Sequence, residues 1–153
     1  MQLYRMSKER HSNGLSGKGA ELVGGRWNKV GIPALYLAEN ISLSILETIV
    51  HCQRISDLYQ RFVLSIEVPK KSIEEIDLKQ LPKDWNKTPW HNFTIDYGSN
   101  WLSSRKSLLL KIPSAVIPNE TVFLVNPLHK SFNHVKIVNR DIFLPDNRLK
   151  LSG

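Results

Sequence analysis

The chain has 153 residues, 41% of them hydrophobic, which predicts one globular domain over residues 1–153. Its net charge of +7 suits a polyanionic nucleotide or an acidic partner, although a solvated basic surface explains most of these charges. The single cysteine, Cys52, excludes an internal disulfide. No apolar stretch is long enough to span a bilayer and no secretory segment opens the chain, so we expect a cytoplasmic protein without a membrane partner.

The first predicted elements are a strand, a loop and a tight turn. Residues 2–6 (QLYRM) predict a strand that carries Arg5, and the polar, glycine-rich residues 7–23 predict a loop. Two glycines then allow the chain to turn sharply just before Arg26, because glycine adopts backbone angles that other residues avoid.

A short strand and an amphipathic helix follow. Residues 34–38 (ALYLA) predict a strand in which Tyr36 points away from two leucines and lies between two small alanines. Asn40 or Ser42 suits the helix N-cap. Helical spacing predicts a buried stripe with Glu47 at its margin, and the stripe consists of Leu43, Leu46, Ile49 and Val50.

The rest of the chain predicts more strands and one further helix. Trp85 and Trp90 flank a proline and are expected to form an aromatic patch over the core, with a wall of a substrate cleft as the alternative. Irregular alternation of elements excludes a doubly wound sheet and favours an α+β domain with split, mostly antiparallel strands. The predicted elements are a strand at 61–68, a mixed segment at 73–85, a helix within 96–110, and strands at 109–112, 121–125 and 135–144.

Three functional side-chain types lie close together in the sequence: Arg26, Tyr36 and Glu47. They converge only if the strand and the helix pack on each other. Taken singly, each has a structural explanation, because arginines in loops form salt bridges, tyrosines lie in cores and glutamates at a helix edge are mostly solvated.

The amino-acid sequence of this region resembles the N-terminal signature of the RES domain family. The resemblance starts with GKGAELVGGRWNKVGIPALYLAENISLSILETIVH and continues through LPKDW, YGSNWLSSRKSLLLKIPSAVIPNE and FLVNPLH, in order and over nearly the whole chain. It implies a fold similar to ADP-ribosyltransferases. It also implies the toxin of a bacterial type II toxin–antitoxin pair, which degrades NAD by cleaving the nicotinamide–ribose bond through hydrolysis or phosphorolysis.

The resemblance assigns roles to individual residues. The family arginine, tyrosine and glutamate fall on Arg26, Tyr36 and Glu47, and the family serine falls on Ser114, with Ser103 and Ser104 as the alternative. A carboxylate is needed to stabilise an oxocarbenium-like ribose, a guanidinium to hold the pyrophosphate, and an aromatic ring to stack on the nicotinamide. Arg5 and Asn126 are reserve candidates for binding the dinucleotide.

The implied partners are NAD as substrate, an Xre-type helix-turn-helix antitoxin and a second copy of the toxin. No prosthetic group is expected, and the five histidines lack metal-ligand spacing, so no metal site is predicted. Two other functions stay open: an ADP-ribosyltransferase that modifies a specific protein, and a ribonuclease or nucleic-acid-binding module. Scattered lysines and arginines disfavour a direct nucleic-acid partner.

Overall fold

The computed structural model of the chain describes residues 1–151. Its three α-helices are α1 (Lys18–Val23), α2 (Ile41–Ile49) and α3 (Asn92–Ser104). Its strands are β1 (Gln2–Lys8), β2 (Leu35–Ala38), β3 (Arg61–Glu67), β4 (Ile73–Glu75), β5 (Leu109–Pro113), β6 (Thr121–Val125) and β7 (Lys136–Ile142). No helix in this part of the chain is long and apolar enough to cross a membrane.

The seven strands form one mixed sheet in the order β4-β5-β6-β2-β1-β3-β7. Every neighbouring pair is antiparallel except β4 and β5, which run parallel. The predicted α+β class with mostly antiparallel strands is therefore confirmed.

The sheet is split between β1 and β2. These two strands share a single residue pair, Tyr4 with Ala38, whereas β1 pairs with β3 along its whole length from Gln2 to Lys8. Two half-sheets, β4-β5-β6-β2 and β1-β3-β7, therefore share backbone pairing at one point, while Leu3 of β1 and Leu35 and Leu37 of β2 pack in a common core cluster. A gap between strands exposes two strand edges to whatever lies in it.

Helix α2 lies across this split. Leu43 packs in a cluster with Ala38, on the half-sheet that contains β2. Ile45 and Ile49 pack against Met6 of β1 in a second cluster. Because one helix is held by both half-sheets, residues on its inward side lie directly over the gap.

The buried stripe predicted for α2 is wrong at two positions. Leu46 is 38% exposed and Val50 is 54% exposed, whereas Ser44 is 4% exposed. The stripe prediction assumed that the helix packs on one flat surface, but α2 bridges two surfaces. The helix start at Asn40 is confirmed, since the Asn40 side chain accepts a hydrogen bond from the amide of Leu43 at 2.8 Å.

Two other element predictions need correction. Part of the predicted loop forms α1, a six-residue helix held by distant contacts: the Asn28 side chain donates to the carbonyl of Ala20, and the Gly31 amide donates to that of Glu21. Helix α3 starts at Asn92 rather than within the predicted segment, and it ends where Arg105 adopts a left-handed backbone with φ 52°.

Candidate active site

A cleft of about 800 Å³ opens at the split. It is lined by Arg5 on β1, Tyr36 on β2, Glu47 on α2, Arg26 in the preceding turn, and Ala115 after β5. Four of the side chains singled out in the sequence therefore face one space. They reach it from both half-sheets and from the helix that joins them.

Glu47 is held in place by Ser114. The Ser114 hydroxyl donates to Glu47 Oε1 at 2.6 Å and itself accepts from the amides of Val116 and Ile117, at 3.1 and 2.9 Å. Ser114 is 1% exposed and directly follows β5. A serine hydroxyl has one proton and two acceptor positions. Both acceptor positions are used by the backbone, so the proton points at the carboxylate and fixes its orientation.

Arg26 lies at the tip of a tight turn closed by two hydrogen bonds between Gly25 and Asn28. Its Nη1 donates to the carbonyls of Trp85 at 2.7 Å and Lys87 at 2.9 Å. Burial lowers the pKa of Arg26, and attraction to Glu47 acts in the opposite direction. Nη1 uses both of its protons in these contacts, which leaves three donors on Nε and Nη2.

Tyr36 ties this turn to β2. Its hydroxyl accepts from the amide of Trp27 at 3.1 Å and donates to Asn28 Oδ1 at 2.8 Å. Burial raises the pKa of Tyr36 well above its usual value, so the hydroxyl stays neutral. A Cβ on Gly25 would lie 2.8 Å from the Tyr36 hydroxyl oxygen, so only glycine allows this approach. The hydroxyl is committed to the fold, and the ring lines the cleft.

Trp27 fixes the same turn from behind. It is 2% exposed and packs with its ring centroid 6.2 Å from that of Trp85 and 6.4 Å from that of Tyr97. A Cβ on Gly98 would lie only 2.0 Å from the Trp27 carbonyl oxygen. At Gly98 the backbone of α3 therefore packs directly on the turn, and this close contact fixes the position of Arg26.

Arg5 is a cation without an anion. It forms neither an ion pair nor a side-chain hydrogen bond within residues 1–151, although it lines the cleft. Burial lowers the pKa of Arg5, but an arginine guanidinium stays protonated at neutral pH in proteins. A half-buried positive charge without an ion-pair partner among the described residues favours binding of an anionic ligand.

Comparison with known proteins shows the family of this chain. A model of the RES domain family matches residues 2–150. This chain belongs to the RES domain family. It is 38% identical over 151 residues to "Toxin Res" of Photorhabdus laumondii, covering 97% of each chain. It is 36% identical over 138 residues to "Prs ADP-ribosylating toxin" of a Sphingobium species, covering 88% of this chain and 86% of that protein.

A solved structure has the fold of this RES domain. A chain of the MbcT–MbcA toxin–antitoxin complex of M. tuberculosis matches with a TM-score of 0.78, covering 93% of this chain and 83% of that one. The two sequences are 19% identical. At this identity the likeness establishes a shared fold.

Some residues considered in the sequence lie elsewhere in this RES domain. Asn126 is fully buried and does not line the cleft, because its side chain donates to the carbonyl of Leu102 and accepts from the amide of Leu128. Ser103 and Ser104 are exposed at the end of α3. Of the three serines, Ser114 is the one that contacts Glu47.

Sequence reasoning missed one wall of the cleft in the RES domain. Asn86, Thr88 and Trp90 line it, and all three belong to a segment without regular secondary structure. The only signal was the alternative placement of Trp85 and Trp90 in a cleft wall. Within residues 1–151, no group of three histidine, cysteine, aspartate or glutamate side chains is arranged to hold a metal ion.

Proposed function

We propose that this RES domain protein is the toxin of a toxin–antitoxin pair and that it degrades NAD by cleaving the nicotinamide–ribose bond. The observation that carries the proposal is the convergence of Arg5, Arg26, Tyr36 and Glu47 on one cleft at the split in the sheet. The toxin role is supported by relatives whose names identify them as toxins.

Glu47 suits the demands of this reaction. As the bond to nicotinamide breaks, the ribose develops positive charge like that of an oxocarbenium ion. The leaving group is a cationic pyridinium that departs as neutral nicotinamide, so no general acid is needed. A carboxylate already oriented by Ser114 stabilises the positive ribose without having to reorganise. Water or phosphate then adds to the ribose carbon, and the proton of that nucleophile passes to the solvent or the carboxylate.

The two arginines suit the anionic part of NAD. Arg5 approaches from β1 and Arg26 from the turn before β2, so they line the cleft from opposite sides of the split. The unused Nε and Nη2 edge of Arg26 has the geometry for a bidentate contact with a phosphate, which lysine lacks. The ring of Tyr36 then supplies a flat face for the nicotinamide, since its hydroxyl is occupied.

The test is nicotinamide release from NAD by purified protein free of antitoxin, compared with Glu47→Gln. Glutamine keeps an oxygen that can accept from Ser114, so the fold stays intact while the charge is removed. We expect release by the wild type and a loss of roughly a hundredfold or more in the variant, as for removal of one charge-stabilising group. Folded wild-type protein that releases no nicotinamide would refute the proposal.

The products identify the acceptor. ADP-ribose indicates hydrolysis, and ADP-ribose-1″-phosphate formed only with added phosphate indicates phosphorolysis. Labelled ADP-ribose on a protein indicates transfer, a second candidate that is favoured by the name of the Sphingobium relative. RNA cleavage with NAD left intact would instead support a nuclease.

The proposed partners are an Xre-type helix-turn-helix antitoxin that covers the cleft and a second copy of the toxin. Apolar side chains at the cleft support a covering partner, because Val23 is 74% exposed and Val50 is 54% exposed. Adding purified antitoxin should stop nicotinamide release, and light scattering of the complex should give its subunit count. An antitoxin that binds without inhibiting would refute the covering arrangement.

A further inference from the structure

One wall of the cleft is formed by residues 84–91, here called the strap, which lies between β4 and α3 in the chain. The strap contains no helix or strand. Its alternate residues Asn86, Thr88 and Trp90 line the cleft. Irregular segments supported by a rigid scaffold often carry binding residues. The strap therefore contributes substrate-facing side chains from a part of the chain far from β2 and α2.

Arg26 holds the middle of the strap. Its Nη1 donates to the backbone carbonyls of Trp85 and Lys87, on both sides of Asn86. The Trp85 ring also packs against Trp27, which is buried in the core. The same arginine that faces the cleft thus fixes the position of its wall.

The ends of the strap are held as well. His91 accepts through Nδ1 from the amide of Phe93 at 3.0 Å and so caps the start of α3. Its Nε2 lies 3.7 Å from Asp84 Oδ1, at the other end of the strap. The wall is therefore formed before any ligand arrives, which reduces the ordering cost of binding.

Trp90 is the aromatic side chain of the strap that lines the cleft. It is 38% exposed, whereas Trp27 and Trp101 are 2% and 7% exposed. A tryptophan that lines a cleft and keeps this much surface offers a flat apolar face to a ligand. Nucleotide heterocycles are flat, and stacking on an aromatic ring is a common way to hold them.

We propose that Trp90 stacks on one heterocycle of the dinucleotide, adenine or nicotinamide, and that Arg26 acts on this contact as a positioning residue by holding the strap. The identity of the ligand rests on the proposed function. The stacking itself rests on the geometry of the strap.

The test measures binding without turnover, by calorimetry with the Glu47→Gln protein. ADP-ribose presents adenine without nicotinamide, and nicotinamide mononucleotide presents nicotinamide without adenine. Trp90→Ala should weaken binding of one of them by roughly ten- to a hundredfold, and Trp90→Phe should retain most of the affinity. A loss confined to ADP-ribose places adenine on Trp90, and a loss confined to the mononucleotide places nicotinamide there.

The matched control is Tyr59→Ala, since Tyr59 is an aromatic residue that is 58% exposed and does not line the cleft. This variant should bind both nucleotides normally. Unchanged affinities in Trp90→Ala would overturn the stacking proposal. A Glu47→Gln protein that binds either nucleotide, beside a wild type that releases no nicotinamide, would refute the proposed function alone. Binding of neither nucleotide would refute both.

The positioning role of Arg26 has its own readout. Arg26→Ala removes both contacts that Nη1 makes with the strap carbonyls, so trypsin should cleave after Lys87 faster than in the wild type at a temperature where both are folded. Trp90→Ala keeps the Arg26 contacts and should be cleaved at the wild-type rate. Equal protection of Lys87 in Arg26→Ala and wild type would overturn this role.

Discussion

Replacing Ser114 with alanine removes one oxygen atom and three hydrogen bonds. The hydroxyl donates to Glu47 and accepts from the amides of Val116 and Ile117. Because Ser114 is 1% exposed, water has little access to replace it. The substitution therefore leaves two amides without their acceptor and frees the carboxylate to rotate.

The expected magnitude follows from these contacts. A buried polar group left without a partner costs about 1–3 kcal/mol, so the two amides lower the free energy of unfolding by about 2 kcal/mol or more. A displacement of about 1 Å at a catalytic group costs roughly a hundredfold in rate. We expect kcat for nicotinamide release to fall by about that factor, with a much smaller change in KM, since Ser114 acts through Glu47 and not on the substrate.

The assay is initial-rate kinetics together with urea unfolding, with Ser103→Ala as the matched control. Ser103 is exposed on α3, so its removal should change neither stability nor kcat. The reasoning is refuted if Ser114→Ala keeps the wild-type kcat at a temperature where it is folded, or if Ser103→Ala causes the loss instead.

Two further predictions concern the support of the site. Gly98→Ala forces a methyl group against the Trp27 carbonyl, so the free energy of unfolding in urea should fall by about 3 kcal/mol or more. The control is Gly19→Ala, because Gly19 is a helical glycine with open space around it, and this change should raise the free energy of unfolding by roughly 0.5 kcal/mol. Equal stabilities of the two variants would contradict the packing. The raised pKa of Tyr36 makes its contribution to stability complete below about pH 10 and progressively lost above it. The melting temperature of the wild type should therefore fall more steeply above that pH than that of Tyr36→Phe, and parallel curves would contradict this.

Local sequence pattern correctly predicted the strand that carries Tyr36 and the start of the helix that carries Glu47. The alternation in residues 34–38 placed Tyr36 on the face opposite Leu37, and Asn40 marked the start of α2. Local pattern therefore gave the two elements that carry Tyr36 and Glu47, but the convergence of these side chains with Arg26 depended on how the strand and the helix pack. The family resemblance supplied their proposed roles.

Local sequence pattern could not predict contacts between residues that are far apart in the chain. The Glu47–Ser114 hydrogen bond joins residues 67 positions apart, and the Arg26–Trp85 contact joins residues 59 positions apart. The strap has no periodicity that would reveal which of its side chains face a cleft. Asn126 was a weaker candidate than Ser114 on polarity alone, and its amide instead donates to the buried carbonyl of Leu102 in α3.

Strands β1 and β2 share the single residue pair Tyr4–Ala38, so a substrate bound as proposed would link the two half-sheets where their backbone pairing ends. A dinucleotide that contacts Arg5 on one half-sheet and Tyr36 on the other binds only when the two halves are correctly apposed. At a hundred times its dissociation constant, such a ligand adds about 2.7 kcal/mol to the stability of the folded state. If the proposed function holds, catalysis removes this ligand and its contribution to stability at every turnover. The two half-sheets then stay joined by the Tyr4–Ala38 pair, by α2 and by the core cluster that Leu3 of β1 shares with Leu35 and Leu37 of β2.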